Sequence, residues 1–259
     1  MKRTILLATT ALVALAIPAL ADGKGGKRLT GLGDIGYTYI DVDSVFSDSV
    51  SNFHGTGSAL WTWPDKWNAQ ANFDFNSFHQ DPFGASVWRL GGAGFWRDVN
   101  EGMLGGELHY QSIDGGIGYA DGVEIRGRGE LFLSEATIGA HLGYSTFDEL
   151  DGWLLGAYGT YYASPHLGLR LGIDYGSWDA TPDDFDQWSL NGEVEYLFPG
   201  CDTSVYAGLG FGSIDEDLGS DEDYWQLGIG ARMHFGTDGA LIKRNREEPL
   251  RALRSISTF

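Results

Sequence analysis

Between Trp67 and Phe78 the chain alternates with a period of two, placing Trp67, Ala69, Ala71, Phe73 and Phe75 on one side and Asn68, Gln70, Asn72, Asp74 and Asn76 on the other. That is the spacing of a β-strand, not of a helix. The same arrangement returns at 166–177, where Leu167, Leu169, Leu171, Ile173 and Tyr175 oppose Gly168, Arg170, Gly172, Asp174 and Gly176. It returns again at 187–198 and at 224–235. In a soluble sandwich the apolar sides would build a core, and the opposite sides need not be rich in glycine and small polar residues. Here that second side is Gly, Asn, Gln, Ser, Arg and Glu, which suits a wet lumen with lipid on the other face. A sheet in lipid must close on itself so that no backbone group is left unpaired. The expected fold is therefore an all-β, antiparallel, up-and-down transmembrane β-barrel.

Segmentation by alternation predicts strands at 31–42, 53–63, 67–78, 84–97, 103–112, 122–133, 136–146, 153–163, 166–177, 187–198, 203–213 and 224–235. The count is about 12, with 10–14 as its range because glycines dilute the pattern in 84–97 and because 113–121 can extend a neighbour. Connections after odd strands read as longer and acidic (43–52, 113–121, 147–152, 178–186, 214–223), and most after even strands as short. Outer loops and periplasmic turns of an even barrel alternate in this way. Aromatic residues at the ends of apolar rows, such as Trp188, Tyr196 and Phe198, fit interfacial girdles.

Composition agrees with many strands, since aromatics make up 14% of the chain and glycine occurs 39 times. The first residues are a basic start (Lys2, Arg3), an apolar run from Ile5 to Ile17, Pro18, and Ala19-Leu20-Ala21 before Asp22. This is the layout of a cleavable secretory signal, too short to span a bilayer, with removal expected near Ala21. Three parts are expected: signal 1–21, barrel 22–236 and a basic periplasmic tail 237–259. The formal net charge of -19 becomes -21 without Lys2 and Arg3 (-19 minus 2), which argues against nucleic acid as a partner. A single cysteine, Cys201, excludes an internal disulfide and reads as a turn thiol. The tail carries Lys243, Arg244, Arg246, Arg251 and Arg254, and is read as solvated, with a short amphipathic helix suggested after Pro249 by Leu250, Leu253 and Ile256.

Alternation directs Arg89, Arg126, Arg128, Arg170 and Arg232 inward, together with Asp74, Glu107, Glu124, Glu130, Asp174, Glu193 and Glu195. Two roles are open to them: a paired network bracing a filled barrel, or a constriction whose opposed charges select small polar solutes. Glu124, Arg126, Arg128 and Glu130 form a column on one strand, the first place to seek a constriction. Acidic residues at Asp148, Glu149, Asp151, Asp179, Asp183, Asp184, Asp186 and from Asp215 to Asp223 would make an anionic mouth that concentrates cations. The last of these runs has carboxylates around Gly219 but lacks the glutamate that a calcium loop requires.

Over the whole mature chain the residues resemble bacterial outer-membrane barrels of the porin-like type, and Gly230, Met233 and Phe235 are spaced like that group's C-terminal assembly signal. The resemblance implies outer-membrane lipid as surroundings and insertion by the barrel-assembly machinery. This chain continues beyond Phe235 and ends in Phe259, so either aromatic can be the one that is read. Some twelve-strand barrels of the outer membrane are phospholipases with an outward Ser, His and Asn. His141 with Ser145, and His109 with Ser112, do not meet that geometry, and no cofactor or metal-ligand spacing is present. The expectation is no enzyme, but a passive channel for small hydrophilic, cation-favoured solutes or a closed structural or interaction barrel of the envelope.

Overall fold

The structure is a computed structural model describing residues 28–43, 49–80, 83–115, 118–147, 150–180, 184–216 and 221–251. The expected signal 1–21 and its cleavage point lie outside the described residues, as do Asp148, Glu149, Asp183, Asp217, Leu253, Arg254, Ile256 and Phe259. Twelve strands form one closed antiparallel barrel. They are β1 (Arg28–Asp43), β2 (Ser49–Thr62), β3 (Trp67–Gln80), β4 (Phe83–Asp98), β5 (Gly102–Gly115) and β6 (Gly118–Phe132). The second half comprises β7 (Ala136–Phe147), β8 (Leu150–Ser164), β9 (Leu167–Ala180), β10 (Phe185–Leu197), β11 (Thr203–Glu216) and β12 (Glu222–Phe235). Each pairs with its sequence neighbours, and β1 pairs with β12 from Gly31↔Phe235 to Asp43↔Asp223, so no sheet edge is left open.

Alternation becomes inside and outside as the sequence predicts. On β6, Glu124, Arg126, Arg128 and Glu130 are buried in the lumen, while Ile125 and Leu131 between and beyond them are more than 60% exposed on the outer wall. The outer wall is layered. Leu90, Ile125, Leu142, Leu171 and Ile229 occupy its middle, and Trp61, Trp67, Tyr161, Tyr196 and Phe198 circle the end where the barrel begins and finishes. At the opposite, far end stand Tyr144 with Trp153 (ring centres 4.9 Å apart) and Trp88 with Tyr110 (5.4 Å). Two aromatic belts around an aliphatic band fit a bilayer and its interfaces. Leu171→Arg, in mid-band, is therefore expected to cost about 2–4 kcal/mol in urea unfolding from lipid vesicles; a cost under about 1 kcal/mol would refute a lipid contact there.

Three expectations change. The far-end strands run into the acidic stretches, so Asp151, Asp179, Asp186, Asp215 and Asp223 are strand residues, and connections shrink to 81–82, 116–117 and 148–149. Long-short parity is mostly lost, because ladder pairing such as Asp186↔Asp215 continues where apolar alternation has ended. The tail is not solvated as far as Arg251. It turns at Gly236 (φ +77°) and Gly239 (φ +94°), conformations that favour glycine, and enters the barrel mouth. Its helix, α1 (Leu241–Glu247), lies before Pro249; the helix expected from Leu250, Leu253 and Ile256 falls largely outside the described residues. Glu248, held extended before the proline, ends it. The Leu241 N–H donates to the Pro165 carbonyl (2.8 Å), and the Leu241 side chain is fully buried against Tyr162 and Leu197. Cys201 is exposed in the turn after β10.

Candidate functional site: the lumen and its plug

Most of the charged lumen residues among those described lie in two groups. In the first, Arg89 lies 3.1 Å from Asp74 and 3.5 Å from Glu124, and Glu124 also pairs with Arg126. Arg128 donates to Glu130 (2.8 Å) and to the Tyr158 hydroxyl (2.9 Å), with Glu107 at 3.7 Å, while Tyr158 donates to Glu130. The expected column is thus present, but its members are paired with one another and with β3, β4, β5 and β8.

The second network centres on Arg232. Its Nε donates to Asp34 (2.8 Å) and its two terminal nitrogens to Glu193 (2.8 and 2.7 Å), with Glu195 at 3.1 Å. Tyr206 donates to Asp34 (3.0 Å), and its ring faces the Arg232 guanidinium at 4.0 Å. Gly36 and Gly230 make room for this ring, since a Cβ at either position would come within 2.4 Å of the Tyr206 hydroxyl oxygen. Gly230 therefore has a local packing reason to be glycine. Met233 faces outward, and Phe235 is the last residue of β12.

Of the expected lumen residues, Arg89, Glu107, Glu124, Arg126, Arg128 and Glu130 are brought together in the first network, and Glu193 and Arg232 in the second. Asp174 is apart, 3.2 Å from His141. Arg170 has no ion pair among the described residues and stacks on Tyr158 of the first group, its guanidinium carbon 4.1 Å from the ring centre. Ser145 accepts from Gln111 (3.1 Å), so His141 and Ser145 serve different partners.

The tail, missed as a lumen element, is bonded to the inner wall at one end. Gln70 exchanges two hydrogen bonds with the Leu250 backbone (2.9 and 2.7 Å). Arg97 donates to the Glu248 carbonyl (2.7 Å) and Arg128 to the Arg251 carbonyl (2.8 Å). Arg251 reaches Glu195 at 2.6 Å, and Arg244 reaches Asp202 at 2.8 Å. Leu250 joins Leu60, Phe95, Met103 and Phe132 in an apolar cluster inside the wall. His234 lies 2.6 Å through Nδ1 from Glu248 and 3.0 Å through Nε2 from Ser204, an order of groups that also occurs in acyl-transfer relays. The Ser204 hydroxyl is 0% exposed and donates to Glu195 (2.6 Å), so no substrate reaches it and its proton is already engaged.

At the far end two further apolar clusters stand on the inner wall, around Ile40, Val50 and Tyr224 and around Phe147, Leu154 and Trp178. Between them and the plug is a cavity of about 200 Å³ whose lining includes Arg170, Asp174, Asn191, Tyr206, Gln226 and Arg251.

No protein-family model matches the chain, and no curated protein matches it in sequence. Solved structures do match in fold. An outer-membrane channel from Pseudomonas putida F1 aligns with a TM-score of 0.61 at 10% identity, covering 84% of this chain and 99% of that one. The β domain of the Bordetella autotransporter Brka aligns at 0.53 and 11% identity, over 80% and 99%. The translocator domain of the autotransporter NalP from Neisseria meningitidis aligns at 0.52 and 12% identity, over 90% and 98%. The chain has the architecture of bacterial outer-membrane β-barrels, and identities this low carry no residue roles across.

Proposed function

We propose that this protein is an outer-membrane channel for small hydrophilic solutes whose lumen is stoppered at one end by its own segment 236–251. The observation that carries the reading is the charge of the lumen wall beside and beneath the plug. A barrel closed for good gains little from burying Asp34, Asp74, Glu107, Glu124, Glu130 and Glu195, because apolar side chains of equal volume are often as stable or better. A lumen that water enters needs such a wall. The plug is held to that wall largely by hydrogen bonds and ion pairs, which water can replace when it leaves. The similarity in fold to an outer-membrane channel is compatible with this reading. Export with loss of 1–21, insertion by the barrel-assembly machinery using Phe235 or Phe259, and a non-enzymatic role belong to the same proposal. The acidic far rim is expected to favour cations at the mouth.

Planar-bilayer recording tests it. The full chain is expected to remain closed for most of the recording, and a chain ending at Gly236 to show frequent stepwise increments. A truncated, folded barrel that never conducts would overturn the channel reading. A second reading, a permanently closed structural or interaction barrel, is favoured by the two apolar clusters at the far end, and that same outcome would support it.

A further inference from the structure

Four arginines line the cavity above the plug: Arg89, Arg170, Arg232 and Arg251. Three are neutralised, by Asp74 at 3.1 Å, Asp34 at 2.8 Å and Glu195 at 2.6 Å. Among the described residues no carboxylate lies within ion-pair distance of Arg170. Its cross-strand neighbour on β10 is Glu193, the pairing that a ladder ordinarily uses for opposite charges. Yet both Glu193 oxygens are taken by Arg232, at 2.8 and 2.7 Å. Asp174, further along β9, is turned to His141 at 3.2 Å. What Arg170 does have is the face of Tyr158, and the Arg128 guanidinium also lies 5.3 Å from the centre of that ring. A planar cation whose fork has no ion-pair partner among the described residues, resting on an aromatic face beside a cavity, is arranged to receive a carboxylate.

The rest of the cavity indicates what that carboxylate is attached to. Its wall presents side-chain amides on several strands: Asn52 and Asn76 bonded to each other at 3.2 Å, and Gln226 donating to Asn191 at 2.7 Å. Asn52 Oδ1 is buried and accepts no hydrogen bond from the described residues. Amides that both donate and accept suit hydroxyl groups. We infer that the cavity binds a small polyhydroxylated carboxylate, its acid group on Arg170 and its hydroxyls on the amide wall. The acidic rim does not oppose this: Asp179 is nine residues along β9 from Arg170, about 30 Å of strand, well beyond a Debye length of about 8 Å.

Three linear six-carbon probes that differ at one terminus test the inference by titration calorimetry on the full-length barrel folded in detergent: gluconate, sorbitol and glucamine. Gluconate is expected to bind at least tenfold more tightly than sorbitol, and glucamine more weakly than either. Arg170→Gln is expected to abolish the preference for gluconate and Arg170→Lys to keep part of it, with unchanged heat-modifiable migration showing that both variants fold. Equal binding of gluconate and sorbitol by the native barrel, or a preference that survives Arg170→Gln, would overturn the site. Acetate binding as tightly as gluconate would overturn the amide wall's part. Binding needs no conduction, so a barrel that binds gluconate but never conducts leaves this inference standing and removes only the channel reading.

Discussion

Arg232→Met is expected to destabilise the barrel by about 3–5 kcal/mol, measured by denaturant unfolding from lipid vesicles with tryptophan fluorescence. One guanidinium there serves Asp34, Glu193 and Glu195, and the three lose it unequally. Glu195 keeps Arg251 at 2.6 Å and the Ser204 hydroxyl, and Glu193 is partly open to the cavity. Asp34, almost fully buried, loses the Arg232 guanidinium and keeps the Tyr206 hydroxyl at 3.0 Å and His54 at 3.5 Å. Most of the cost therefore falls on Asp34, and adding Asp34→Asn to Arg232→Met is expected to restore about 1–3 kcal/mol. A double variant no more stable than Arg232→Met would show that the loss comes from packing against Tyr206 and not from a stranded carboxylate.

The strands and their inward rows were legible because the signal is local. Lipid on one side and a polar lumen on the other impose a period of two that each segment carries by itself, and even the extra strand residues at the far end keep its register. What ended the sequence reading too early there was charge: Asp186 and Asp215 still pair across β10 and β11, but neither marks a side as apolar. The paired state of the lumen was half legible. Alternation puts Arg170 opposite Glu193, and nothing in either strand says that Arg232, from two strands away, takes both carboxylate oxygens. The plug was not legible at all. Its helix has seven residues and no sustained period, and its partners Gln70, Arg97 and Arg128 lie more than a hundred residues back along the chain.

That plug depends on one buried carboxylate. Glu248 is 1% exposed, pairs with His234 at 2.6 Å, accepts from the Thr237 hydroxyl, and offers its carbonyl to Arg97. Glu248→Ala leaves His234 and Thr237 without this acceptor while the Arg97 contact, being to backbone, persists. A loss of about 3 kcal/mol in docking corresponds to roughly a 100-fold rise in the population of the undocked tail. Helix α1 carries Lys243, Arg244 and Arg246, so trypsin reports that population directly when opening is fast relative to cleavage. The tail of Glu248→Ala is expected to be cut about 100-fold faster than that of the native barrel, and conductance increments to appear in parallel. Asp238→Asn is the control. It breaks the Lys243–Asp238 pair, whose hydrogen bond raises the lysine pKa and lowers that of the carboxyl, but Asp238 is solvent-exposed and screened. Cleavage in that variant is expected to change by less than about twofold. Equal acceleration in both variants would mean that the tail is held at its exposed turn; acceleration in Glu248→Ala without new conductance would mean that it is docked from within but does not gate the lumen.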